Sequence, residues 1–463
     1  MSDTARGRAV VLGASMAGLF AASVLAEAYG EVVLVDRDRL ADATEVRRGA
    51  PQGRHLHGLL ARGQQAIEEL LPGFTDEATA AGLRSGDLGT RIRWYFNGHR
   101  LKPAETGLLV VGGYRPGIEA LVRRRVLALP GVRLVEDADV VAPVATADGN
   151  RITGVRIYHR SADVAEVLDA DLVVDATGRG SRTPTWLTEL GHGPVPEERI
   201  KIGLTYTSAR FRFSHDPFHG DVSINPVATP AHPRGAFLAT LGGDTGLLSL
   251  TGILGDEPPT DREGFLAYAA SLPVPDIIDA IRDAEFLDEP GSFRFPASVR
   301  RRYERVSRLP EGLLVVGDAV CTFNPVYGQG MTVAALEALV LRRHLAGGGT
   351  PGPRAFFADI SRQLDAPWEV AGGGDLAHPR VEGPRPLKVR MANAYIARVH
   401  AAATRDSRVT DAFLRVAGLI DPPQSIMRPS VLLRVLRAGR QPAGSAATPS
   451  GPLPTRPPAR DRG

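Results

Sequence analysis

Residues 312–331 read Gly-Leu-Leu-Val-Val-Gly-Asp-Ala-Val-Cys-Thr-Phe-Asn-Pro-Val-Tyr-Gly-Gln-Gly-Met, and they set one carboxylate, Asp318, at the end of an apolar run. Asp318 can accept from a sugar-like hydroxyl, and Gly317 beside it lets a ligand approach the backbone closely. Pro325, Gly328, Gln329, Gly330 and Met331 then lead into residues 332–345, which are rich in alanine and leucine at helical spacing. The first N–H groups of such a helix have no internal acceptor, so they face whatever lies before them. An electron-rich ring edge suits that place.

A second constellation lies near the N-terminus. Residues 9–12 predict a short apolar strand, Gly13-Ala-Ser-Met-Ala-Gly18 a glycine turn, residues 19–28 a helix, and residues 32–35 a second strand ending at Asp36. That order is a dinucleotide-binding βαβ unit. Gly13 makes the tight turn and Gly18 permits close helix packing. Ser15 replaces the middle glycine of the fingerprint and can itself donate to a phosphate; Met16 and Ala17 belong to the same turn, before the helix whose N-terminus faces a pyrophosphate. Asp36, followed by Arg37, is placed to bond an adenosine ribose hydroxyl; it falls 18 positions after Gly18, near the usual spacing of about 20.

Two further segments complete a set of four: Arg47-Arg-Gly-Ala-Pro-Gln-Gly-Arg-His-Leu-His57 and Asp171-Leu-Val-Val-Asp-Ala-Thr-Gly-Arg-Gly-Ser181. On these motifs, spread over residues 9–345, the chain resembles the FAD-dependent monooxygenases of the p-hydroxybenzoate hydroxylase type. The squalene-epoxidase-like branch, which includes bacterial polyether epoxidases, is the nearest likeness within them. The resemblance implies FAD held by the Gly13 turn, Asp36, Arg37, Arg47, Arg48, Arg115, Val140, Thr177, Gly178, Gly317, Asp318 and the 325–331 loop. It places Arg47, Arg48 and Gln52 along the flavin ring, where a hydrogen bond from Arg48 or Gln52 would stabilise the reduced anion. Arg48, Gln52 and Pro325 are therefore the expected catalytic residues.

The same resemblance implies that reduced flavin takes up O₂ as a C4a-hydroperoxide and passes one oxygen atom to a largely apolar metabolite, by epoxidation or hydroxylation, in secondary metabolism. Electrons would come from NAD(P)H, directly or through a separate flavin or ferredoxin reductase. Such chemistry asks the protein for orientation and dryness, so an apolar pocket is expected from Tyr206, Phe211, Phe237, Leu241 and Leu248, with Pro325 and Val326 at its floor. Competing readings are a reductase, an oxidase or a halogenase on this scaffold, or a non-catalytic redox sensor. The Trp-x-Trp-x-Ile-Pro element of flavin halogenases is absent, since Trp94, Trp186 and Trp368 stand apart.

Composition narrows the alternatives. The chain has 463 residues, 43% of them hydrophobic, enough for more than one compact unit. A formal net charge of +3 with interleaved acids and bases gives no nucleic-acid footprint. Cys321 is the single cysteine, which rules out an internal disulfide and suits a reducing cytoplasm. No stretch reaches the roughly 18 apolar residues of a membrane span, so a soluble, cytoplasmic protein is expected. His55 and His57 form a His-x-His pair without a third ligand nearby, and no metal is expected.

The predicted fold is α/β: a Rossmann-like, glutathione-reductase-like FAD-binding domain with an inserted antiparallel β-sheet substrate domain and a C-terminal helical region. Residues 1–75, 110–183 and 293–345 form the discontinuous cofactor part, and residues 76–109 and 184–292 the substrate part. Residues 202–213 alternate as a strand, and 235–241 with 246–253 make a hairpin about Gly242-Gly243-Asp244. Residues 261–270 and 274–284 read as short helices. Arg115 opens another, over 116–129, with Ile118, Leu121, Val122 and Val126 buried and Arg123 to Arg125 on a solvated face. Residues 346–440 are helical and broken by prolines, Pro367 among them; 441–463 read as a disordered tail.

Overall fold

The computed structural model describes residues 6–40 and 45–438. The expected tail, 441–463, lies outside the described residues. The first unit is β1 (Arg6–Leu12), α1 (Met16–Leu25) and β2 (Tyr29–Val35). Helix α1 starts earlier than its apolar run suggests, because Gly18 is taken into the helix, and it ends at Leu25 where two turns feed β2. Strands β3 (Val132–Val135), β4 (Leu172–Asp175) and β5 (Leu313–Val315) join them in a sheet ordered β5-β4-β1-β2-β3. Every pairing in it is parallel. Such a sheet must be covered on both faces, which accounts for the unbroken valine and leucine runs: Val10, Val32, Val174 and Leu314 have no exposed surface.

Helix α1 packs against α2 (Arg115–Leu127) and α3 (Gly330–Leu345), and α4 (Pro353–Asp375) packs on α3. The antiparallel strands Ala138–Ala145, Ile152–His159 and Val164–Asp169 form a separate layer, the middle one lying against β4. Pro367 does not break α4. Phe356, Phe357, Ile360 and Leu364 before it and Ala371 after it are buried, and that burial outweighs the one backbone hydrogen bond the proline removes.

The inserted layer is an eight-stranded sheet. Leu204–Arg212 and Gly235–Gly242 both pair antiparallel with Thr245–Gly252, and Gly291–Phe295 pairs with Leu204–Arg212. The layer therefore extends through Phe295, past residue 293. Ile92–Phe96 enters the same sheet beside Ser223–Val227. Helices Arg262–Ala270 and Asp276–Ile281 cover one face; the second is shorter than residues 274–284 predict.

Candidate functional site

Three glycine turns converge at the C-terminal edge of the parallel sheet, where open α/β folds bind ligands. Gly13 has φ +95°, and a Cβ there would stand 2.7 Å from the Ala176 carbonyl oxygen, directly after β4. At Gly18 a Cβ would fall 1.8 Å from the Gly13 oxygen, so only glycine lets α1 sit this close to the turn. Gly317 (φ +66°) meets the Ala17 side chain in the same way, with Cβ atoms 2.6 Å apart. Asp175 is fully buried and turns its carboxylate inward on Thr177 N, Thr177 Oγ1, Ser181 Oγ and Thr183 Oγ1, at 2.5–2.8 Å. That cage fixes the Thr177-Gly178 backbone over the sheet edge. Asp318 is half-buried opposite it; burial raises its pKa, against the pull of Arg115, Arg179 and Arg301.

At the end of β2 Asp36 stands in a network of charges. Asp36 Oδ2 accepts from Ala14 N at 2.8 Å, and Oδ1 from Asp38 N at 2.9 Å with the Arg47 guanidinium at 3.6 Å. Each oxygen keeps a lone pair for a ribose hydroxyl. Burial raises the Asp36 pKa, with Arg47 the main opposing charge. Arg37 points outward, 3.9 Å from Asp139. Val140 packs at the edge of the main core.

Glu119 on α2, a residue the motifs did not flag, sits beside Ser15 in the turn that opens α1. Its carboxylate takes Arg47 Nε at 2.8 Å, Ser15 Oγ at 2.9 Å and Arg115 Nη2 at 3.4 Å. The Ser15 proton is therefore directed at Glu119 and not at a phosphate. Burial alone would raise Glu119, but Arg115 and Arg47 outweigh it and leave its pKa lowered. Arg123 is not on a solvated face: it is 4% exposed and lies 3.9 Å from Glu119. A glutamate one turn after Arg115 on the buried side of α2 was the available signal. Arg48 is exposed and Gln52 half-buried on the turn after Arg47.

The inserted sheet turns one face to this edge. Tyr206, Ser208, Phe237 and Ser249 share that face. His55 Nδ1 meets Ser208 Oγ at 2.7 Å, and Leu56 N donates to Ser249 Oγ at 3.0 Å. Phe211 and Leu248 do not line the expected pocket: they point the other way, into the core under the two covering helices with Phe265 and Ile277. The reason is strand parity, since Tyr206 and Phe211 are an odd number apart and must lie on opposite faces. Leu241 sits in a bulge between Thr240 and Gly242. Tyr206 instead belongs to a cluster with Phe293, Phe295, Leu376, Val381 and Val326 of the 325–331 loop, and the Arg179 guanidinium lies 5.4 Å from the Phe293 ring.

His55 is buried and His57 half-buried. Burial lowers His55 to about 4 and, together with Arg115, His57 to about 3. No group of three metal-ligating side chains occurs among the described residues. Cys321 is buried with its thiol pKa raised well above normal by burial, which leaves it inert. On the 325–331 loop, Pro325 and Gly330 are exposed while Gln329 and Met331 are buried. The Gln329 Oε1 and Arg115 Nε atoms are buried without a partner. Unpartnered polar atoms, glycine-only turns and an acid at each sugar position fit a bound FAD.

Fold and site together define a flavin-dependent oxidoreductase. Residues 9–183 match the FAD dependent oxidoreductase family, and Protein Rv3254 of Mycobacterium tuberculosis is 34% identical over 434 residues, 90% of each chain. The chain belongs to the FAD-dependent oxidoreductases. Solved structures share the fold at low identity. Flavin-dependent brominase Bmp2 superposes with a TM-score of 0.66 at 15% identity, over 93% of this chain and 99% of that one. p-Nitrophenol 4-monooxygenase PnpA from Pseudomonas putida gives 0.63 at 14%, over 89% and 99%. The myxobacterial chondrochloren halogenase CndH gives 0.59 at 18%, over 89% and 97%. No helix among the described residues is long and apolar enough to cross a membrane.

Proposed function

We propose that the protein is a monooxygenase of the p-hydroxybenzoate hydroxylase type, in the squalene-epoxidase-like branch, which inserts one oxygen atom from O₂ into a largely apolar metabolite. The observation that carries this reading is the apolar cluster in which Tyr206, Phe293 and Phe295 of the inserted sheet meet Val326 of the cofactor loop. When bound, FAD supplies the redox and oxygen chemistry. The chain supplies the rest. Gly13, Asp36, Arg47, Arg115, Gly178 and Asp318 would hold the dinucleotide, and the first turn of α3 would face the ring edge. Tyr206, Phe293 and Phe295 would keep water from the reacting face and seat an apolar substrate. Phe237 extends that face.

Substrate-dependent oxidation of NAD(P)H, alone or with an added flavin or ferredoxin reductase, tests the reading under ¹⁸O₂ with terpenoid, polyene and aromatic candidates. One ¹⁸O atom in the product is expected. Halogenated product formed with bromide or chloride, or hydrogen peroxide as the only oxygen product with every candidate, would overturn it. The fold likeness to Bmp2 and CndH makes the halide arm a necessary part of the test.

A further inference from the structure

Asp375, the last residue of α4, is a buried acid that none of the motifs includes; its relative exposure is 1%. Its Oδ1 accepts from Asn324 Nδ2 at 2.7 Å and from the Tyr327 hydroxyl at 3.3 Å. Those two residues bracket Pro325 and Val326. Asn324 also folds back locally, its Oδ1 accepting from Val326 N at 3.1 Å, so the loop hangs from a single carboxyl group. The helix is shaped for this contact. A Cβ on Gly374 would stand 2.0 Å from the Tyr327 hydroxyl oxygen, and one on Gly372 would stand 2.8 Å from Ile200 Cδ1. Glycine in a helix is otherwise a cost in stability; here Gly374 makes room for Tyr327 of the loop, and Gly372 for Ile200 of the strand Glu197–Ile200.

We propose that Asp375 is a positioning residue for the cofactor loop, its carboxyl gripping Asn324 and Tyr327 so that Pro325, Val326 and the start of α3 are fixed against the flavin. The inference rests on the seating of the flavin proposed above. Asp375 touches neither cofactor nor substrate in this role; it acts through the loop. Burial pushes the group up to about 7 against the hydrogen bonds of Asn324, Tyr327 and Ser298, so the neutral acid is the form that suits the site. An asparagine has the same shape and keeps the accepting oxygen.

The test compares FAD dissociation constants, by quenching of flavin fluorescence, and the visible absorption bands of the bound flavin. Asp375→Ala is expected to weaken FAD about tenfold or more, as loss of a buried two-donor acceptor should, and to shift the bands. Asp375→Asn should restore both to wild-type values, and Gly374→Ala should behave like Asp375→Ala. Tyr327→Phe, which removes one donor and keeps the ring, covers the case in which Asp375→Ala fails to fold; it should shift the bands in a folded protein. Wild-type affinity and bands in Asp375→Ala or Tyr327→Phe would overturn the proposal, as would an Asp375→Asn protein as impaired as the alanine variant. Failure of the wild-type protein to bind FAD would instead sink the reading of the site on which it rests.

Discussion

Gly178 and Asp318 face each other across the end of the parallel sheet, a Cβ on Gly178 lying 3.9 Å from the Asp318 Cβ. The two residues come from motifs 140 positions apart (318 − 178). Among the described residues nothing donates to the Asp318 carboxylate, so its removal costs the fold little. Asp318→Ala should therefore purify with a normal circular dichroism spectrum and melting temperature but with little yellow chromophore. Full flavin occupancy in that variant would remove the residue from the cofactor site.

Gly13 is tied to the same edge from the other side. Its backbone is left-handed, and the Ala176 carbonyl oxygen would lie 2.7 Å from any Cβ at this position, so there is no room for a side chain. Gly13→Ala combines conformational strain, on the order of 1–3 kcal/mol, with displacement of the turn from β4. Weakened FAD binding and a lower melting temperature are both expected. Wild-type values of both would mean that the turn adapts and does not bear on the phosphate.

Glu119 offers a sharper prediction, because it holds Arg47, Arg115 and Ser15 at once. Asp36 and Asp38 remain as partners for Arg47, at 3.6 and 3.0 Å, so the loss falls mainly on Arg115 and on Arg123, 3.9 Å from Glu119. Glu119→Ala leaves a buried guanidinium short of its counter-charge, which typically costs about 3–5 kcal/mol; the remaining acids place the effect at the lower end. The FAD-free protein should melt clearly lower, and added FAD should recover part of the loss because its pyrophosphate would supply negative charge at the same place. A melting temperature within experimental error of wild type would show that the carboxylate is not holding the arginines.

The parallel sheet and its glycine turns were legible in the sequence because each follows from a local rule: apolar runs for doubly covered strands, and glycine where φ is positive or a helix must come close. The hairpin about Gly242-Gly243 was legible for the same reason. Strand parity was not carried through. Phe211 and Leu248 are apolar on a sheet that buries both faces, so hydrophobicity alone could not tell the helix-covered side from the side carrying Tyr206. Glu119 and Asp375 were missed for a different reason. Their partners, Arg47 and Ser15 for the first and Asn324 and Tyr327 for the second, are distant in sequence, and a buried acid looks like a surface acid until its neighbours are known.

Two buried acids, Glu337 and Asp375, predict how stability depends on pH. Glu337 on α3 accepts from Gly317 N at 2.5 Å, and burial raises it to about 8; Asp375 is raised to about 7. In the unfolded chain both titrate near about 4. The native state then holds protons that the unfolded state has shed, so these acids make stability fall as pH rises from about 4 to about 8, after which their effect is complete. Histidines whose pKa desolvation lowers act in the opposite sense. His55 and His400 are lowered to about 4 and His57 to about 3, so they make stability rise with pH only up to the unfolded value near about 6.5. Between about pH 6.5 and 8 the acids act without that opposition. The melting temperature of the FAD-free protein should decline across this interval, and Glu337→Gln should remove most of the decline above about pH 7, since Glu337 has the higher value. A wild-type melting temperature that holds level or climbs over the interval would mean that the native protein carries neither acid in its neutral form.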